Sequence, residues 1–253
     1  MHLTAFSVTP LAPLPAIRPG DDLAGLIAAS GGDLADGDVL VVAHKVVSKA
    51  EGRLRRLDEI QPGERAHELA EEHGKDPRLV QAVLDESEEV LRAVDGTLIC
   101  VTRHGFVCAN AGVDQSNLSA EGGADLVLLP EDPDGSARRM RAGISEALGV
   151  RPGVLIADSF GRAWRLGQTD VAVGAAGITP LDQWSGRPDG FGRELRVTSI
   201  AVADSIAAAA DLARAKDSLE PVVRVSGLER FVTPEDGPGA AALRRPSEQD
   251  LFH

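Results

Sequence analysis

Two short, uninterrupted apolar runs constrain this chain more than any other feature: DVLVVA at 38–43 and GVLIA at 153–157. Runs of this length between polar residues are the pattern of buried strands. The first breaks off at His44 and the second at Asp158. Polar groups just beyond a strand end are where functional side chains commonly sit. Neither run approaches the roughly 18 apolar residues that span a bilayer.

The surrounding segments supply helices and further strands. Leu11–Pro19 carries prolines at 13, 15 and 19, which predicts an extended segment, and Asp21 or Asp22 is placed to cap a helix through Leu23, Leu26 and Ile27. Helices are predicted over Glu64–His73, Pro77–Arg92, Asp134–Leu148 and Ile200–Arg214, and strands over Thr97–Thr102 and Val222–Val225. From Pro234 onward Pro, Gly, Glu and Arg dominate, so a loosely ordered tail is expected over 234–253. The mixture predicts an α+β (mixed α/β) protein, irregular and two-lobed, with both lobes inside residues 1–233.

Charge narrows the partners. The chain has 39 acidic and 26 basic residues and a net charge of -13. Such a field repels a phosphate backbone and an anionic membrane surface, so neither nucleic acid nor membrane is expected as the partner. A small molecule is the better expectation, and an anionic one would need local cations. Cys100 and Cys108 form no zinc-ligand pattern and read as reduced, and the N-terminus lacks a signal-peptide pattern. A cytoplasmic location is expected.

Neither G-x-x-x-x-G-K-[ST] nor G-x-G-x-x-G follows a strand, so this is neither a phosphate-loop nor a Rossmann chain. Four polar segments remain. His44-Lys45-Val46-Val47-Ser48-Lys49 reads as a basic turn whose lysines and serine suit phosphate oxygens. In Asn110–Asn117, Gly112 permits a sharp turn and Asp114 is a hard oxygen ligand. Asp158–Asp170 gathers acids, arginines and Gln168, reading as a polar loop, and Arg214–Asp217 closes the last helix with cations. Each alone also fits a solvated surface. Together, Asp114 and Asp158 are candidates for one magnesium or manganese site shared with substrate phosphates.

At these residues the sequence resembles the coenzyme F-420-0: L-glutamate ligase family, from about Leu14 to Gly227. The matching blocks include VVSKAEGR at 46–53, LDESEEVLR at 84–92, RHGFVCANAGVDQSN at 103–117, ADSFGRAWRLGQTDVAVGAAGI at 157–178 and VTSIAVADSIAAAADL at 197–212. The resemblance implies an amide ligase in which GTP phosphorylates a carboxylate of the deazaflavin precursor and the amine of L-glutamate displaces phosphate. It implies that Leu14, Pro15, Ala16 and Ile17 line the guanine pocket, and that His44, Lys45, Lys49, Asn117 and Lys216 contact GTP. Asp114 and Asp158 would be the catalytic metal-holding acids, with Ser159 serving the same Mg2+ or Mn2+ site through its hydroxyl. K+ as a further ion and a homodimer are implied in the same way. His44 stands where relatives carry serine, and Arg214-Ala215-Lys216 replaces a glycine-containing turn. The same chemistry on another acceptor, or a non-catalytic GTP- or deazaflavin-binding module, are the alternatives.

Overall fold

A computed structural model describes residues 5–118, 123–215 and 217–250. In chain order the first lobe begins with β1 (Ser7–Pro10), α1 (Leu23–Ser30), β2 (Val39–Ala43), α2 (His44–Ala50) and β3 (Leu54–Arg55). A smaller lobe follows, with α3 (Glu64–His73), α4 (Pro77–Asp85), β4 (Ser87–Val94), β5 (Thr97–Thr102), β6 (Val107–Ala109) and β7 (Leu126–Val127). The chain then returns through α5 (Pro133–Leu148), β8 (Gly153–Arg162), β9 (Arg165–Ala176), β10 (Leu181–Gln183), β11 (Ser199–Ala201), α6 (Val202–Ala213) and β12 (Val222–Ser226). The architecture is α+β, as the sequence predicts.

The large lobe is a five-stranded sheet in the order β1-β12-β2-β8-β9. Both apolar runs lie in it as neighbours, and they pair in parallel from Val39 opposite Gly153 to Ala43 opposite Ala157. Alternation sends Leu40, Val42, Val154 and Ile156 to one face, against Leu23 and Ile27 of α1 and Met140 and Ile144 of α5. Val39, Val41, Leu155 and Ala157 face the other way, against Val202, Ile206 and Ala210 of α6. A sheet covered on both faces explains runs without polar interruption.

The small lobe has a core of its own. Leu98 and Cys100 of β5 meet Ala66 and Leu69 of α3 and Val80 and Val83 of α4. A part-buried ion pair, Arg53 Nη2 to Glu86 Oε2 at 2.6 Å, joins the lobes, and the Arg53 Nε–H donates to the Leu129 carbonyl at 3.0 Å. The predicted cap at Asp22 is present, its side chain accepting from the Gly25 N–H; Pro77 opens α4, and Asp76 caps it.

Four readings of the sequence need correction. The basic turn at 44–50 is the helix α2, whose Val47 and Ser48 are buried. The helix predicted to Arg92 ends at Asp85, and Ser87–Val94 pairs with β5 as a strand. Asp95-Gly96, both at positive φ, turns that hairpin, and this dipeptide is a hairpin signal that outweighs the helical spacing of Leu91. The polar loop at 158–170 is the continuation of β8 and the return strand β9. The tail is not loose over 234–243. Buried Arg141 binds the carbonyls of Thr233 and Pro234 and the Asp236 carboxylate, Asp134 accepts from the Ala240 and Ala241 N–H groups, and Ala240 is fully buried. Backbone groups hold this segment, so its side-chain composition does not reveal the packing.

Candidate active site

The parallel pairing of β2 and β8 decides the centre of the site. Ala43 lies opposite Ala157, so the next residues, His44 and Asp158, come together where the β2–β8 pairing ends. His44 Nε2 is 3.3 Å from Asp158 Oδ1, and its Nδ1 is 3.4 Å from Ser48 Oγ. His44 is 2% exposed, so the imidazole is a wall of the site rather than a solvent-facing contact.

Because 44–50 is helical, Lys45 and Lys49 stand one turn apart on one face. The small lobe lays its 114–117 turn across that face. Lys45 Nζ lies 2.6 Å from Asp114 Oδ2 and donates to Ser116 Oγ at 2.5 Å, and Lys49 Nζ donates to the Asn117 carbonyl at 2.7 Å. Asp114 is held by two backbone bonds to Val127, and its Oδ1 accepts from the Ser116 N–H at 2.7 Å in an Asx turn. Asn117 takes a left-handed φ of 58°, which asparagine tolerates better than most residues.

The electrostatics keep both acids ionised. Burial alone pushes Asp114 up, but the Lys45 ammonium and the Ser116 N–H outweigh it and hold the carboxyl below the usual range. Burial likewise pushes Asp158 up, and adjacent His44, the Ser159 N–H and Lys45 bring it down. Lys45 therefore acts on both acids. Lys49 is lowered by burial first and by neighbouring Lys45 second. Beside them the Cys108 thiol is pushed up to about 12, by burial and then by the charge of Asp158, so it stays protonated and inert.

Other predicted residues occupy different positions. Ser159 points to the opposite face of β8 from Asp158; its N–H donates to Asp158 Oδ1 at 2.8 Å, while its hydroxyl donates to Asp170 Oδ1 at 2.6 Å. Asp170 is buried and pairs with Arg214 at the end of α6. Leu14 and Ile17 pack on the same core cluster as Val46 and Ala50 of α2, and the Gly20 N–H donates to the Ala50 carbonyl at 2.8 Å. Pro15 and Ala16 are exposed and border a groove with Asp21 and Leu26. Lys216 lies outside the described residues. Ser116 was not singled out from sequence, and its only signal was the Asp-x-Ser spacing of an Asx turn.

Asp114 and Asp158 present hard carboxylate oxygens, and the ammonium lying on Asp114 demonstrates that this oxygen accepts a cation. No cluster of three His, Cys, Asp or Glu side chains gathers among the described residues. That donor set fits Mg2+ or Mn2+, which keep waters and take substrate phosphate oxygens to complete six ligands.

The sequence model of the family described as F420-0:Gamma-glutamyl ligase matches residues 12–227. The chain belongs to this family. It is 46% identical over 238 residues to the Coenzyme F420:L-glutamate ligase of Methanopyrus kandleri, covering 93% of each chain. Identity to the protein of the same name from Methanothermobacter thermautotrophicus is 45% over 244 residues, covering 94% of this chain and 95% of that one. The Archaeoglobus fulgidus protein of that name is 50% identical over 224 residues, 87% of each. The family match spans His44, Lys45, Lys49, Asp114, Asn117 and Asp158, and it ends before the clipped segment at 234–243. Among the described residues no helix is long and apolar enough to cross a membrane.

Proposed function

We propose that the protein is a cytoplasmic, homodimeric ligase that joins L-glutamate to coenzyme F-420-0 in an amide bond, using GTP and an acyl-phosphate intermediate. The family and the printed names of its relatives support the ligase and its two substrates. The observation that carries the GTP chemistry is the alternation of Lys45 and Lys49 with Asp114 and Asp158 where the two lobes meet.

A carboxylate is a poor electrophile with no good leaving group. In the proposed reaction its oxygen attacks the γ-phosphorus of GTP and GDP departs. The glutamate amine then attacks the acyl carbon, inorganic phosphate leaves and the nitrogen loses a proton. Asp114 and Asp158 would hold a divalent ion, which would supply charge neutralisation at the transferring phosphoryl group. Lys45 neutralises Asp114 in the resting arrangement. Lys45 and Lys49 would offer two ammonium groups to phosphate oxygens. His44 and the Ser159 N–H hold Asp158 in orientation. Leu14 to Ile17 would receive the guanine, Asn117 would contact the nucleotide, and Lys216 would extend the cationic set; K+ would be a further ion.

The test is incubation with glutamate-free coenzyme precursor, L-glutamate, GTP and Mn2+, read by mass spectrometry. Mass gains of one or more glutamyl units that require GTP and metal are expected. Phosphate release from GTP without any mass gain would move the reading to another acceptor.

A further inference from the structure

Beyond the Asp114 turn, on the small-lobe side, lies an open cavity of about 380 Å³ lined by Lys75, Leu79, Asn110 and the turn residues Asp114, Gln115 and Ser116. Its cation is built in with care. Gly74 ends α3 in the left-handed conformation, the Lys75 N–H donates to the Ala70 carbonyl at 2.9 Å, and Asp76 immediately caps α4. Lys75 is thus fixed between two helix caps, and its stem passes the Gly96 hairpin turn, where a Cβ would lie 4.0 Å from Lys75 Cε. Lys75 is half-buried, and among the described residues its ammonium makes no ion pair and has one polar partner, Asn110 Oδ1 at a marginal 3.5 Å.

The residue that reaches it is held in an unusual backbone. Asn110, Ala111 and Gly112 have φ of 51°, 51° and 72°, three successive left-handed residues, a conformation that disfavours the two that are not glycine. This turn points the Asn110 side chain at Lys75 and leads directly into Asp114. Strained backbone persists where the surroundings over-determine it, and binding sites are where it concentrates.

We infer that this cavity is the subsite for the incoming amino acid, with Lys75 binding a carboxylate of L-glutamate and the Asp114–Ser116 end receiving its amino group. The inference rests on the ligase reading and deepens it. Lys75 and the Asp114–Ser116 turn line the same cavity, so an amino acid whose carboxylate meets Lys75 would lie with its nitrogen toward the phosphoryl-transfer centre. Burial lowers Lys75, as expected of an ammonium that gives up water without a fixed counter-charge and regains attraction when an acid arrives. The neutral amide of Asn110 adds donors beside Lys75 that suit carboxylate oxygens.

The experiment compares wild type with Lys75→Met, Lys75→Arg and Leu79→Trp, the last narrowing the cavity while leaving the ammonium in place. Lys75→Met is expected to raise KM for L-glutamate about tenfold or more. KM for GTP should stay within about twofold, Lys75→Arg should recover part of the loss, and Leu79→Trp should raise the same KM. Equilibrium dialysis of radiolabelled L-glutamate in the presence of GTP gives a reading that needs no turnover, and Lys75→Met should bind correspondingly less. Unchanged glutamate KM and binding in both Lys75→Met and Leu79→Trp would overturn the subsite, as would a shift confined to KM for the deazaflavin acceptor. Failure of the ligase reading looks different: wild type would then transfer no glutamate at all.

Discussion

The two acids at the centre are delivered by regions built in different ways. Asp158 lies within β8, just past the stretch that is hydrogen-bonded on both sides and packed on both faces, with Ile156, Leu155 and Ala157 at 0–1% exposure just before it. Asp114 sits on a turn that follows three left-handed residues, in a lobe whose core covers one side of a three-stranded sheet, and its side chain is 39% exposed. The first position follows from packing, the second from local backbone conformation and from the lysines of α2. The proposed phosphoryl transfer would gain from this division, because one acid stays fixed while the other sits on a shallower element that substrate can reach.

The largest expected effect tests whether both regions take part in the chemistry. Asp158→Asn and Asp114→Asn should each reduce kcat by about a hundredfold or more, since in the proposed reaction each removes a charge that would hold the divalent ion. Turnover near wild type in Asp114→Asn alone would confine the chemistry to the large lobe.

Two packing changes sharpen the contrast. Leu155→Ala should cost about 2–5 kcal/mol of stability, measured by denaturant unfolding, with kcat of the folded enzyme within about threefold. Gly112→Ala should do the reverse in proportion. Its φ of 72° disfavours alanine, and a Cβ there would lie 2.7 Å from Leu129 Cδ1 and Cγ. A stability loss of about 1–3 kcal/mol is expected, but displacement of Asp114 should lower kcat about tenfold or more. Equal kinetic effects from both changes would mean that the two acids are positioned alike.

Much of this contrast was legible in the sequence and part of it was not. The buried strands at 39–43 and 153–157, the cap at Asp22 and the α+β class follow from periodicity and composition, which are local. That His44 and Asp158 meet depends on parallel pairing between strands far apart in the chain, which no local pattern encodes. Reading Lys45 and Lys49 as a turn hid their helical spacing, because a seven-residue helix carries too few apolar positions to announce itself. Asp95-Gly96 was a usable signal for the β4–β5 hairpin, overlooked because Leu84 and Leu91 fit a helical face. Lys75 carries no signal in the sequence, because its proposed role depends on a cavity that only the assembled lobe creates.

The pH dependence should also separate the regions. Both acids have folded-state values below the ordinary aspartate value of about 3.9, so their contribution to stability is present above that pH and is lost as pH falls through the lower folded values. Thermal melting should therefore drop on acidification below about pH 4, and Asp158→Asn should flatten that limb more than Asp114→Asn, whose side chain is better solvated. Asp204 runs the other way. Burial raises it, so protonation stabilises the fold as pH falls through its folded value, and Asp204→Asn should remove that opposing slope.

The smallest effect concerns the reverse face of β8. The Ser159 hydroxyl donates to Asp170, which also holds Arg214, whereas the contact of Ser159 with Asp158 runs through its backbone N–H, which any residue other than proline supplies. Ser159→Ala should therefore cost about 1 kcal/mol of stability, because a buried acceptor loses one of its donors, and the Mn2+ concentration for half-maximal rate should shift less than about threefold. The strand alternation that separates the two side chains makes this measurement decisive. A tenfold shift in the Mn2+ dependence would mean that the hydroxyl leaves Asp170 and turns to the metal when substrates bind. The large-lobe side would then be the more mobile of the two, and the division of roles between Asp158 and Asp114 would reverse.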